Sequence, residues 1–145
     1  MAKLNTYLTF KGDAEEAFNF YKSVFGGEFS ILQKFRDMPG NEGMSIPDLD
    51  KIMHVTLEIP GGMILMASDD LESMGRPFIQ GNNISLSLTV ASEAEADQLF
   101  AALSVGANVT MPMEKTFWNA YFGMLTDSFG IHWMINYDYP ATEAH

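Results

Sequence analysis

Phe10-Lys11-Gly12-Asp13-Ala14-Glu15-Glu16-Ala17 and, about eighty positions later, Val90-Ala91-Ser92-Glu93-Ala94-Glu95-Ala96-Asp97 decide how this chain folds. Self-similarity at one fixed spacing is the mark of a duplicated unit. The relation extends outward: Phe20, Gly26 and Phe29 fall opposite Phe100, Gly106 and Val109. Each half opens with a short alternating stretch (residues 4–10; 84–90) that reads as a strand. A capping position follows, Asp13 or Ser92, the latter with Glu95 placed for a capping box, and then a helix closed by glycine. Ala14, Ala17, Phe18, Tyr21, Val24 and Phe25 recur at three- and four-residue spacing, as do Ala96, Leu99, Phe100 and Leu103, so each helix has one apolar face.

Three more strands follow each helix, at residues 28–36, 51–59 and 63–68 and at 108–113, 120–126 and 131–137. The unit is βαβββ, twice, in an α+β chain. It is read as a single domain spanning 1–145, with a first module over about 1–70, a linker over 71–82, a second module over about 83–138 and a tail over 139–145. Residues 37–50, with two prolines and two glycines, form the longest loop.

Alternation assigns side chains to faces, because neighbours along a strand point to opposite sides of a sheet. Met53, Val55, Leu57 and Ile59 make an apolar row, and His54, Thr56 and Glu58 a polar one. Leu4, Leu8 and Phe10 oppose Asn5, Tyr7 and Thr9; Ile131, Trp133 and Ile135 oppose His132, Met134 and Asn136. One helix per module covers the apolar face of its four strands and leaves the mixed face looking elsewhere.

Composition narrows the partners. Of 145 residues, 47% are hydrophobic and 19% charged, which suits an ordinary folded domain and not a membrane span. Eight Lys and Arg against nineteen Asp and Glu leave a net charge of −11, the wrong sign for neutralising phosphates, so nucleic acid is not an expected partner. The absence of cysteine removes disulfides, thiolate metal sites and a Cys nucleophile. No apolar leader precedes the first strand, and a cytoplasmic location is expected. No G-x-S-x-G elbow accompanies Thr116, Ser68, Ser85 or Ser87, and no phosphate loop is present.

Longer runs carry a resemblance. They are Tyr7-Leu8-Thr9-Phe10-Lys11-Gly12-Asp13-Ala14-Glu15-Glu16-Ala17 with Phe20-Tyr21 and Phe25-Gly26-Gly27, Met53-His54, Met66-Ala67-Ser68-Asp69, and above all the run from Glu114-Lys115-Thr116-Phe117-Trp118-Asn119 to Gly130-Ile131-His132-Trp133-Met134-Ile135-Asn136. On these the chain resembles the vicinal oxygen chelate superfamily of glyoxalase and bleomycin-resistance proteins, and within it the PhnB-like group, over essentially its whole length. The resemblance implies paired βαβββ modules whose sheets curl into a half-open, barrel-like cup, completed by a second chain in a homodimer. It implies a small-molecule ligand and, in the enzymes, a divalent metal ion on which vicinal substrate oxygens are chelated in a lyase, isomerase or dioxygenase step. Bleomycin-resistance-like members instead sequester a ligand without chemistry, and both readings stay open here. Labels for the group also mention a ubiquinone-precursor methyltransferase, but no Gly-rich strand-to-helix turn of the nucleotide-binding kind is present.

In the metal-dependent relatives the ligands are histidines and glutamates on the first and last strand of each module, a set suited to octahedral N/O coordination. Here those positions carry Asn5 or Thr6, Asn83 or Ser85, Met66 or Ser68, and Trp133 or Met134. The remaining metal candidate is His54. Glu58 shares its face, but positions i and i+4 of a strand stand about 13 Å apart, too far to share one ion at about 2.1 Å. His54 is thus a ligand completed from another strand or subunit, a general base with Glu58 and Thr56 orienting substrate or water, or a histidine hydrogen-bonded within the sheet. His132 is a weaker candidate and His145 a negligible one. Tyr7, Trp118, Phe122 and Met134 would shape the pocket wall. The eleven methionines read mainly as adaptable core, and Asp13, Glu15, Glu16, Glu93, Glu95 and Asp97 as solvated helix-start residues.

Overall fold

The computed structural model describes residues 1–141. The chain divides into two compact units, Met1–Ile79 and a second beginning at Gln80. Each contains a four-stranded open sheet and a helix of three turns, and the duplicated βαβββ order read from the sequence is the order found.

In the first unit β1 (Thr6–Phe10), β2 (Glu28–Lys34), β3 (Ile52–Ile59) and β4 (Met63–Asp69) lie in the order β1-β4-β3-β2, with β1 parallel to β4 and the other pairs antiparallel. Helix α1 (Ala14–Phe25) packs on β3 and β4. Its buried stripe of Ala14, Ala17, Phe18 and Tyr21 meets Phe10, Val55, Leu57, Leu65 and Ala67 in the core. Phe10 and Tyr21 both stand edge-on to Phe18, with centroids 6.2 and 5.6 Å from it. Strand β1 starts two residues later than the alternation suggests, and Leu4 is fully exposed outside it.

Asp13 sits at the helix N-cap without using its side chain. Asp69, at the far end of β4, takes over. Its buried carboxylate accepts from the backbone N–H groups of Gly12 and Ala14 through Oδ1, at 2.9 and 3.0 Å, and from Ile52 N–H through Oδ2 at 2.8 Å. Helix start, β3 start and β4 end are thereby fixed to one charged group, the strong kind of acceptor. At the other end of α1, Gly27 adopts φ 94°, and a side chain there would run into the backbone carbonyl of Glu58 on β3. The long loop contains a short helix absent from the sequence reading, α2 (Ile46–Leu49), started by Ser45 and Pro47.

The second unit repeats the pattern. Strands β5 (Leu86–Thr89), β6 (Asn108–Lys115), β7 (Ala120–Thr126) and β8 (His132–Asp138) order as β5-β8-β7-β6, again with the first and last strands parallel. Helix α3 (Glu93–Leu103) lies on β7 and β8. Ser92 Oγ accepts from Glu95 N–H, and the Glu95 carboxylate reaches back to Ala91 N–H, one residue beyond the expected box partner. The absence of a side chain at Gly123 lets Phe100 of α3 and Met113 of β6 close on β7. Strand β6 is an edge with register shifts around Pro112. Trp133 is buried and donates its indole N–H to Asp127. The start of the tail is tied down: Tyr139 N–H donates to the Asn119 carbonyl, and its hydroxyl donates to Glu93. His145 lies outside the described residues. Among the described residues no helix is long and apolar enough to cross a membrane.

Candidate functional site

The helix-free face of the first sheet carries the polar row. Register places Tyr7 beside Met66, Met66 beside Thr56 and Thr56 beside Ile31, in one line across four strands. His54 stands two residues along β3 from Thr56, opposite Gln33. Three residues singled out from the sequence come together here. His54 Nε2 lies 2.8 Å from Thr56 Oγ1, and His54 Nδ1 lies 3.3 Å from Tyr7 Oη. The Tyr7 and His54 rings face each other obliquely at 5.6 Å. Burial falls along the chain of groups: Thr56 is 8% exposed, His54 is half-buried and Tyr7 is 49% exposed. A hydrogen-bonded series therefore runs from the interior of the sheet to its surface, and its outer end is a phenol.

Glu58 shares this face but lies one row further on, level with Ile64 and exposed, so it is not part of the Tyr7–His54–Thr56 series. The other three candidates belong to the second unit. Met134 lies in a row with Ser87, Met124 and Met111, and Phe122 in the next row with Asn136, Thr89 and Glu114. Trp118, in the turn before β7, is 52% exposed and sits between Phe117 and Phe122 at centroid distances of 4.8 and 6.1 Å.

Matching strand orders allow a position-by-position comparison of the two faces. Ser87 stands where Tyr7 stands in the first unit, Phe122 where His54 stands, and Met124 where Thr56 stands. The duplication has kept the frame and divided the chemistry: one face bears a polar series, the other methionines and phenylalanine.

His132 is held internally. Its Nε2 lies 3.0 Å from the Gly81 carbonyl, which can only accept, so Nε2 carries hydrogen and donates; Thr126 Oγ1 lies 2.8 Å from Nδ1. Together with Gln80, Asn82 and Gly130 these residues line a cleft of about 450 Å³. The sequence reading missed this cleft, because Gln80, Gly81 and Asn82 lay in what it took for linker.

The donor set of the described residues does not fit a divalent metal centre. Among the described residues no three His, Asp or Glu side chains converge to hold an ion. Both ring nitrogens of His54 face protein oxygens, and Trp133, at one implied ligand position, is turned into the core.

Two open mixed sheets, each carrying one helix and joined in tandem, define a protein of the glyoxalase fold. A domain from Frankia sp. EAN1pec described as glyoxylase/bleomycin resistance protein/dioxygenase shares that fold at 15% identity, with a TM-score of 0.66 over 96% of this chain and 98% of its own. More similar are protein PA1353 from Pseudomonas aeruginosa, 40% identical with a TM-score of 0.83 over 95% of this chain and 98% of its own, and a PhnB protein from Bacillus cereus, 28% identical with a TM-score of 0.75 over 94% and 99%. The family profile described as 3-demethylubiquinone-9 3-methyltransferase matches residues 2–136. The chain belongs to this PhnB-like family and has the glyoxalase fold.

Proposed function

We propose that this chain is a small-molecule-binding protein, acting as a homodimer, that seats an amphipathic ligand against the helix-free face of its first sheet. The observation that carries the reading is the Tyr7–His54–Thr56 series, which ends in a half-exposed phenol on a face its own helix leaves open. Binding sites combine apolar walls with a few convergent polar groups, and here Met66 and Ile31 flank the polar residues in the same row. Phe122, Met134 and Trp118 are the corresponding apolar surface of the second unit.

Sequestration without chemistry is favoured over a metal-assisted lyase, isomerase or dioxygenase step, since the donors such a step needs do not converge among the described residues. Methyl transfer, named in the family's description, is not supported either. Neither sheet has the doubly wound βαβ order in which a strand-to-helix turn cradles a nucleotide-like cofactor.

Thermal unfolding with catechol, benzoate and acetophenone as probes tests the reading, because a ligand that binds only the native state raises the melting temperature. At least one probe should stabilise the wild-type protein unchanged in its own chemistry, and the gain should shrink in His54→Ala. If no probe stabilises the protein, or if His54→Ala responds as the wild type does, the site assignment fails. Stoichiometric binding of Ni, Mn, Zn or Fe(II) to chelator-treated protein, lost in His54→Ala, would return the metal-assisted reading to first place. Sedimentation velocity tests the dimer.

A further inference from the structure

The direction of the hydrogen bonds in the Tyr7–His54–Thr56 series follows from bookkeeping at its buried end. The one hydrogen-bond partner of the Thr56 hydroxyl among the described residues is His54 Nε2. A hydroxyl brings one hydrogen to donate and two lone pairs to accept with. If Nε2 carried the imidazole hydrogen, it would donate to Thr56 Oγ1, and the Thr56 hydrogen would be left without an acceptor at a site only 8% exposed. Unmade donors are the costly outcome of burial. The other arrangement satisfies everything. Thr56 O–H donates to Nε2, the imidazole hydrogen sits on Nδ1, and Nδ1–H donates to Tyr7 Oη at 3.3 Å.

We infer that Thr56 fixes His54 as the Nδ1–H tautomer, so that Tyr7 turns its O–H away from the sheet as a donor to a neutral carbonyl oxygen of the ligand. This deepens the binding reading above and rests on it. Tyr7 is the ligand-contacting residue, His54 polarises it by filling its lone pair, and Thr56 is a positioning residue that acts through His54. A carbonyl is favoured over a carboxylate because the chain carries a net charge of −11 and Glu58 stands on the same face. The sequence could not have supplied this, since Tyr7 and Thr56 are brought to one imidazole only by the parallel pairing of β1 with β4.

Two measurements test the inference separately from the binding reading. The nitrogen-15 resonances of the His54 ring in ligand-free, histidine-labelled protein report the tautomer directly. The Nδ1–H form is expected in the wild type and in Thr56→Ser, which keeps the hydroxyl, and a shift toward Nε2–H in Thr56→Val. An Nε2–H tautomer in the wild type overturns the inference whether or not anything binds.

The second measurement is an NMR titration with acetophenone and with α-methylstyrene, in which a CH₂ group replaces the carbonyl oxygen. Acetophenone should perturb Tyr7, His54 and Thr56 and bind more tightly than α-methylstyrene. Its affinity should fall about 2- to 10-fold in Tyr7→Phe, the factor expected from the loss of one neutral hydrogen bond. If both probes bind equally, or Tyr7→Phe binds acetophenone as the wild type does, the donor role of Tyr7 falls while the face remains a binding site. If neither probe perturbs this face although the tautomer is Nδ1–H, the carbonyl assignment is overturned and the binding reading of the face falls with it.

Discussion

A buried carboxylate that accepts three backbone N–H bonds cannot be exchanged for an amide without loss. Asp69→Asn keeps the shape of the side chain but presents hydrogens where Ile52, or Gly12 and Ala14, already donate. Each orphaned buried N–H costs about 1–3 kcal/mol, so the variant should lose about 2–4 kcal/mol of unfolding free energy, measurable as a lower urea midpoint. Tyr121 makes a different kind of prediction. Its hydroxyl donates to Asp97 at 2.7 Å, and this bond, with burial and the Asp97 charge, pushes the phenol up to about 12 from the usual 10. The native state therefore holds this proton more tightly than the unfolded chain. The bond's contribution to stability is complete below pH 10 and is lost as pH rises toward 12. Ultraviolet absorbance during alkaline titration should show late-ionising tyrosines in the wild type that include Tyr121 and Tyr139, which burial and Glu93 also push up, and the Tyr121 step should move back toward 10 in Asp97→Asn.

At the scale of elements, the glycines after α1 separate two causes of strain. Gly26 and Gly27 both have positive φ, but a side chain at Gly26 meets open space, whereas one at Gly27 meets the Glu58 carbonyl carbon and oxygen. Gly26→Ala should cost about 1 kcal/mol for backbone strain alone. Gly27→Ala should cost several-fold more or prevent folding, because β2 and β3 must part to admit a methyl group; chemical denaturation of the two variants side by side checks the difference.

The same element level shows what was legible beforehand. Helix and strand identities follow from period and caps, so α1, α3 and all eight strands stand where the pattern puts them, to within two residues at most ends. Alternation also placed Tyr7, His54, Thr56 and Glu58 on the face away from the helix. It could not show that Tyr7 and Thr56 share one imidazole while Glu58 stands apart, because that depends on which strands pair and in what register. Nor could it show Asp69 in place of Asp13 at the start of α1, a contact across more than fifty residues. Short α2 was missed although Ser45 and Pro47 carry its start signal, since four residues give too little period to read.

For the whole molecule, charge is the dominant collective property. Nineteen acidic against eight basic residues repel one another in the folded state more than in the expanded one. Ionic strength near 0.15 M reduces the range of that repulsion to about 8 Å. The melting temperature should therefore rise by a few degrees between low salt and physiological salt, as followed by circular dichroism; a fall would mean that attractive pairs such as Arg36–Asp50 and Arg76–Asp70 outweigh the net charge. The two units need not respond alike, since the first buries twice as many apolar side chains as the second among the described residues.

Pro112 bears on the protein's fate at high concentration. Strand β6 is an outer strand rich in exposed apolar side chains, Val109 and Met111 among them, and such a border invites a neighbouring chain to add its own strand and seed fibrils. A residue with no amide hydrogen interrupts the ladder at its midpoint, and the adjoining register shifts twist it out of line. Long storage without gelation would follow from that single imino acid, and exchanging it for threonine would remove the safeguard while leaving the fold's interior untouched.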